Sequence, residues 1–390
     1  MRVIIYECKK AFRSPILIAL LVLFCAFNIY VIWNESYRTD ELKIAGQLAE
    51  TYGIRITDES LRQLEADLRT GMAERHGKPV PAELQLKGMY WQIARNIDSE
   101  YEKIDWNEIA NVEIAKYRLS GRVADMFKSE YGKLSQRFEA MKEQDEHKTW
   151  FFAGKPYRMH GFLFASVFRP ILYEALILVV LATALIANYE FENKTYLVTY
   201  STRRGRLLMK DKLAASLLTA TGMLTVLLAV TLGFYFSVFD YSRLWGSSIS
   251  SALNWEYSLD DLPYVSWWNL SFAGYLLCSV LLVYLCMLLL SGIVFFLSVW
   301  VKNSYFAFFL FAAFFVSALL LPSFVPSPLL LFIAVHNLSV LFMNPHVWFM
   351  GNGGLTMFQS YEPVTVGSWT IITAALCMFS LRRFQKQEIH

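Results

Sequence analysis

The stretch ILIALLVLFCAFNIYVIW, residues 16–33, carries no Asp, Glu, Lys, Arg or His and follows directly on Arg2, Lys9, Lys10 and Arg13. A helix of about 20 apolar residues satisfies its own backbone and matches the roughly 30 Å hydrocarbon layer of a bilayer, so this stretch reads as a membrane span. It is longer than a secretory h-region of roughly 7–15 residues. Because Ile32-Trp33-Asn34-Glu35 offers no small-residue cleavage site, a retained signal anchor is expected.

Further apolar blocks follow, and together they predict an all-α membrane protein with six transmembrane helices, at 15–33, 167–187, 213–238, 269–300, 305–321 and 364–381. The composition agrees: 390 residues that are 55% hydrophobic, 16% aromatic and only 18% charged are hard to keep soluble as an ordinary globular domain. Charge is segregated as well. Segment 34–160 is densely charged with both signs, whereas beyond Gly161 charges are rare and clustered, so a polar domain is inserted between the first two spans. A net charge of +3 gives no argument for a nucleic-acid partner.

Basic residues in the short segments fix the expected orientation. One face receives Arg2, Lys9, Lys10 and Arg13, then Lys194, Arg203, Arg204, Arg206, Lys210 and Lys212, then Lys302, then Arg382, Arg383 and Lys386. The opposite loops, 239–268 and 344–363, offer only Arg243, so the first face and both termini are expected in the cytoplasm. The 34–160 domain then lies outside the cell, since long domains translocate largely regardless of their charge.

Two places strain this count. The fourth block, about 32 residues or near 48 Å of straight helix, must tilt, protrude or break, with Ser291-Gly292 as the expected break. Segment 322–343, with Pro322, Pro326 and Pro328 ahead of a short apolar run holding His336 and Asn337, reads as a re-entrant hairpin on the outer side; a broken fifth helix followed by a loop is the alternative.

Within 34–160 the apolar spacing is helical. Leu61, Leu64, Leu68 and Met72 follow a three-four rhythm after a Thr57-Asp58 cap, a second helix runs from Glu83 to Ile97, and a longer pattern passes through Trp106, Ile109, Val112, Ile114, Tyr117, Val123, Met126 and Phe127. The stretch 77–81 breaks the first two. His76, His147 and His160 are far apart and read as surface histidines, and Trp255, Tyr257, Tyr264, Trp267 and Trp268 read as an interfacial aromatic belt.

Catalytic signatures are missing. The Gly-Lys pairs at 77–78, 132–133 and 154–155 are followed by Pro, Leu and Pro, so no P-loop is present, and neither H-E-x-x-H nor G-x-S-x-G occurs. The five cysteines include no C-x-x-C pair and none lies in the polar domain. The chain is expected to be a non-catalytic subunit without cofactor or metal of its own.

The most informative polar stretch is 188–212. Glu190 and Glu192 follow directly on a span, Thr195 and an apolar-aromatic strip come next, and Arg203, Arg204, Arg206, Lys210 and Lys212 lead into the following span. Such a segment is expected to lie at the interface as a short amphipathic helix that presents a polar face to a soluble partner. An ordinary basic loop explains the cations equally well, but not the two glutamates.

This segment, together with the N-terminal Tyr6-Glu7-Cys8-Lys9-Lys10-Ala11-Phe12-Arg13-Ser14-Pro15, resembles the ABC-2 type permeases of ATP-binding-cassette transporters. In that family an amphipathic helix with an acidic residue, paired basics and Arg-Ser-Pro precedes the first span; here Glu7, Lys9, Lys10 and Arg13 fill the pattern. The family's Gly before the Thr and its Pro in the later turn are replaced by Lys194 and by Arg203 or Arg204. The order of six spans with a large insertion after the first also matches.

The resemblance implies a bacterial plasma-membrane exporter subunit that pairs with a second permease copy or a paralogue. Beneath it, separate ATPase subunits binding ATP and magnesium would dock on 1–14 and 188–212. The cargo classes it leaves open are an antimicrobial peptide, a drug or a lipid-linked molecule.

Arg169 and Glu174, at the outer start of the second span, are candidates for a substrate or proton path, because ionisable groups in a bilayer are costly and usually functional or paired. Placement of both at the headgroup level is the alternative. Two other function classes stay open: a gradient-driven secondary transporter, and a membrane scaffold, enzyme or sensor acting through its outer helical domain.

Overall fold

The structure, a computed structural model, describes residues 2–74, 79–151, 159–201, 203–256, 262–325, 327–351 and 353–386, with the backbone alone at positions 38, 159, 203, 204 and 256. It is mostly helical, and six of its helices are long and apolar enough to cross a membrane. A short helix α1 (Arg2–Phe12) leads into the first of them, α2 (Pro15–Asn34). Pro15 occupies the first turn of α2, where its missing N–H costs nothing.

The polar domain follows as α3 (Thr39–Tyr52), α4 (Asp58–Ala73), α5 (Ala82–Arg95), α6 (Ile97–Tyr101), α7 (Trp106–Lys116) and α8 (Gly121–Glu143). Thr57 caps α4 in a reciprocal capping box with Ser60, as the Thr57-Asp58 reading requires. The long pattern expected through 106–127 is two helices, because Arg118 and Gly121 both take positive φ and turn the chain between them. The expected breaker at 77–81 falls partly outside the described residues, as does His76.

After α9 (Met159–Gly161), a π-helical run Phe162–Phe168 continues into α10 (Arg169–Glu192). The remaining elements are α11 (Tyr196–Tyr200), α12 (Arg203–Val238), the two-residue strands β1 (Trp255–Glu256) and β2 (Leu262–Pro263), α13 (Phe272–Val301), α14 (Ser304–Phe324), α15 (Pro328–Val335), α16 (Leu338–Leu341) and α17 (Tyr361–Lys386). The spans are longer than the apolar blocks predict, since α10 and α12 carry their helices through polar end turns. At 36 residues α12 reaches about 54 Å, so its basic first turns project beyond a hydrocarbon layer.

Burial sorts the bundle. In the span built around α10, 72% of the apolar window is buried, against 17% for α2 and for α14 and 22% for α17. Thus α10 is the central post, packed by α12, α13 and α14, and the other three present apolar flanks, including Val22, Phe27, Phe309 and Ile371, that only lipid or another membrane surface can cover.

The fourth span does not break at Ser291-Gly292. The helix α13 runs unbroken through both, and a side chain at Gly292 would collide with the Thr373 methyl of α17, so this glycine exists for close helix packing. Chain reversal comes instead at Lys302, which caps α13 in the left-handed conformation.

Segment 322–343 forms the end of α14 and the short helices α15 and α16. Pro322 sits inside α14 and has no N–H for the carbonyl of Ala318; the Asn337 amide donates to that oxygen at 3.0 Å, and to Ala334 O at 2.6 Å. Its Oδ1 accepts from Val340 N at 3.0 Å and caps α16. One side chain therefore ties the broken end of α14 to the helical pair behind it. Pro326 lies outside the described residues.

The polar domain and the loops 239–271 and 342–360 form one body at one end of the bundle. Ser247 Oγ and Ser251 Oγ each donate at 2.6 Å to the carbonyls of Trp150 and Thr149. Arg137 grips both oxygens of Glu146 at 2.7 Å and Ser266 O at 3.1 Å. Two expectations change here. His147 and His160 are buried, not superficial, and His160 Nε2 lies 2.7 Å from His346 O among Phe164, Tyr264 and Tyr275. Nor do the described members of the 255–268 group form an aromatic belt: Tyr264 and Trp267 are core residues of this body, Trp267 donating to Met357 O at 2.7 Å; Trp268 alone among them is plainly exposed, and Tyr257 is outside the described residues.

Candidate functional site

At the other end of the bundle, α1 lies against α10 and α12. Its apolar and polar positions segregate, with Glu7 and Ala11 buried and Lys9 and Arg13 exposed, so the buried side carries a carboxylate. A buried carboxylate needs cations. Lys10 Nζ donates to Glu7 Oε1 at 2.6 Å and to Glu190 Oε1 at 2.7 Å. Lys212, fully buried, pairs with Glu190 Oε2, lies 3.6 Å from Glu7 Oε2 and donates to Ile186 O on α10.

Two acids and two bases therefore close a neutral cluster among the first helix, the end of the second span and the start of the third. Tyr200, from the connector between those spans, adds a hydrogen bond to Glu190 Oε2 at 2.9 Å. Lys10 titrates above its ordinary value: burial pulls it down, but the hydrogen bonds and charges of Glu190 and Glu7 outweigh that. Burial and the neighbouring Glu190 carboxylate push the Tyr200 phenol up, which keeps it a donor.

The same corner reaches the remaining cytoplasm-predicted segments. Glu192 Oε1 accepts from Ser304 N at 2.7 Å and so serves the N-terminus of α14, where a carboxylate is favoured by the helix dipole. Lys302, capping α13, sits 5.2 Å from the Phe191 ring centroid, and Arg206 Nη1 donates to Gln385 O in the last turn of α17 at 3.3 Å. The 190–192 turn is thus tied to α1, α12, α13 and α14, and through Phe191 against Phe384 to α17.

The predicted site residues thus divide. Glu7, Lys10, Glu190 and Lys212 meet in one cluster, and Glu192 and Arg206 are helix ties. Lys9, Arg13, Thr195 and Lys210 are exposed. The side chains of Arg203 and Arg204 lie outside what is described. The 188–212 segment is not one amphipathic helix but the end of α10, a turn through Lys194 at positive φ, the five-residue α11 and the first turns of α12. Within α11, Tyr200 is buried while Leu197 and Val198 are exposed, Val198 by 81%.

Near the opposite end, Glu174 is buried. Asn28 Nδ2 from α2 donates to Glu174 Oε2 at 2.7 Å and to Thr231 Oγ1 of α12 at 3.2 Å. Arg169 is not among the partners of Glu174. Sequence reasoning passed over Asn28 and Tyr200; a lone amide inside an apolar run was the available signal for the first.

Among the described residues no group of His, Cys, Asp and Glu is arranged to hold a metal ion. Comparison of the chain with protein-family models, with curated proteins and with solved structures finds no match.

Proposed function

We propose that this chain is the membrane-spanning permease subunit of an ATP-driven exporter of the ABC-2 type, working as a dimer above separate ATPase subunits. One observation carries the reading: the Glu7–Lys10–Glu190–Lys212 cluster locks the N-terminal helix and the connector between the second and third spans into one body, beside which Leu197 and Val198 stand exposed. A soluble motor that grips this body moves α1, α10 and α12 together. ATP-bound motor subunits that bind one arrangement of the spans better than another shift the population toward it, and only that difference in affinity does work.

On this reading the basic face is cytoplasmic, both termini lie inside a bacterial plasma membrane, the polar domain is extracellular and the 322–343 segment is a hairpin set in from the outer side. ATP and magnesium belong to the partner, and cargo of the antimicrobial-peptide, drug or lipid-linked class is met at the outer domain. The test is ATP hydrolysis by the assembled complex: replacing Leu197 and Val198 by Asp uncouples it from the permease while the chain still inserts, and normal coupling in that variant rejects the assignment.

The buried Asn28–Glu174–Thr231 contact favours a second reading, a gradient-driven transporter, because a carboxyl group inside the bundle is a ready ion or proton carrier. Solute movement by the purified chain under an ion gradient, abolished by Glu174→Gln, separates it from the first.

A further inference from the structure

A cleft of about 750 Å³ opens where the polar domain meets the membrane bundle, between α8, α15 and α17. Its volume is that of a small-molecule site. Along α17 it is lined by Val364, Ser368 and Ile372, four residues apart each time, so it follows one helix face for about 12 Å. The far wall includes Ile333. Val364 and Ile372 are exposed on the membrane-length helix α17, and Ile333 is exposed on the far wall, so the long part of the cleft is apolar and open sideways to lipid.

The other end is polar. There Lys133 and Ser129 of α8 line the cleft, both exposed. Both oxygens of Glu130 are engaged, Oε2 accepting from Lys133 Nζ at 2.7 Å and Oε1 from Gln359 N at 3.0 Å. An ammonium has three donors and Glu130 uses one, so Lys133 keeps donors for an anion.

The walls are built independently of any ligand. Trp369 Nε1 donates to His336 O at 3.1 Å, Tyr361 OH to Val335 O at 3.1 Å, and the Gln359–Glu130 bond holds the polar domain to the base of α17.

We propose that this cleft binds a membrane phospholipid of the leaflet on the polar-domain side, with its phosphate on Lys133 and Ser129 and one acyl chain along Val364 and Ile372. An apolar trough continuous with the bilayer, ending on a lysine at the polar boundary, matches a phosphate-headed amphiphile in both shape and charge. The inference does not depend on ATP-driven export, since it concerns binding by the chain alone.

The test uses the full chain in nanodiscs doped with photoactivatable phosphatidate or with diacylglycerol carrying the same diazirine chain. Phosphatidate is expected to label peptides containing Ile333 and Ile372 about tenfold or more above diacylglycerol, the lower end of one charge-assisted contact. On α2, around Val22 and Phe27, the two probes should label equally. Lys133→Gln should bring phosphatidate down to the diacylglycerol level, Lys133→Arg should keep it high, and Val364→Trp should lower cleft labelling by both probes; unchanged α2 labelling shows that each variant is folded. Equal labelling of cleft and α2 without headgroup preference means annular lipid only and overturns the proposal, as does a Lys133→Gln variant that labels like the parent.

Discussion

Glu190 of the second span and Lys212 of the third pair in the interior of the bundle's basic end, with Lys212 wholly shielded from solvent. Because Glu7 and Lys10 complete the set, the cluster is neutral as a whole and unbalanced when any member is removed. Lys212→Met should therefore cost about 3–5 kcal/mol, the usual consequence of stranding a buried charge. Thermal unfolding of the detergent-solubilised protein reads this. The double variant Glu190→Gln, Lys212→Met should recover much of the loss, and a single Lys212→Met variant as stable as one at exposed Lys9 would contradict the cluster.

Asn337 answers the carbonyl that Pro322 leaves open. Asn337→Leu should cost about 1–3 kcal/mol by orphaning buried acceptors and uncapping α16. In a Pro322→Ala background, where residue 322 regains its N–H for Ala318 O, the same substitution should cost less. Equal costs in both backgrounds, measured by thermal unfolding, would show that the two residues act independently.

Gly292 of α13 lies against the Thr373 methyl of α17, where an added Cβ would collide. Gly292→Ala should destabilise by about 1–3 kcal/mol through overpacking. Thr373→Ser removes the methyl in the way, so the pair should be more stable than Gly292→Ala alone. A paired variant no better than the single one would refute the contact.

His147 gives the polar domain an acid weakness. Burial, aided by the nearby Lys148 ammonium, holds its imidazole below the ordinary value of 6.5, against the opposing pull of Asp98 and Asp145. The unfolded chain then binds more protons than the folded one between the lowered value and 6.5, so stability is full above 6.5 and declines as pH falls through the folded value. Hydrogen exchange of α6 and α8 should quicken over that window in the parent and stay flat in His147→Gln.

The six long apolar helices and the polar domain inserted after the first were legible in sequence because hydropathy and charge clustering record them directly, but that α1 packs against the 188–212 segment was not. Which charges face each other was not. Glu190 and Glu192 looked like a polar surface, but two residues on a helix point in different directions, one into α1 and α12 and the other at the start of α14. His147, His160 and Trp267 were misread because their partners lie in loops distant in sequence, and no periodicity marks a seam of serines such as Ser247 and Ser251. In sequence Gly292 reads as a break, whereas its role is close packing of small residues, a distinction set by Thr373 some 80 positions on.

The exposed Leu197 and Val198 are the place where a soluble motor would be caught most directly. The tagged chain should be purified from its own cells in mild detergent and assayed for nucleotide hydrolysis, alongside the Leu197→Asp, Val198→Asp variant. The expected result is an ATPase with a P-loop that accompanies the parent and is lost from the variant. A parent chain that carries no hydrolase, and alone drives solute across vesicles on an ion gradient, would contradict it.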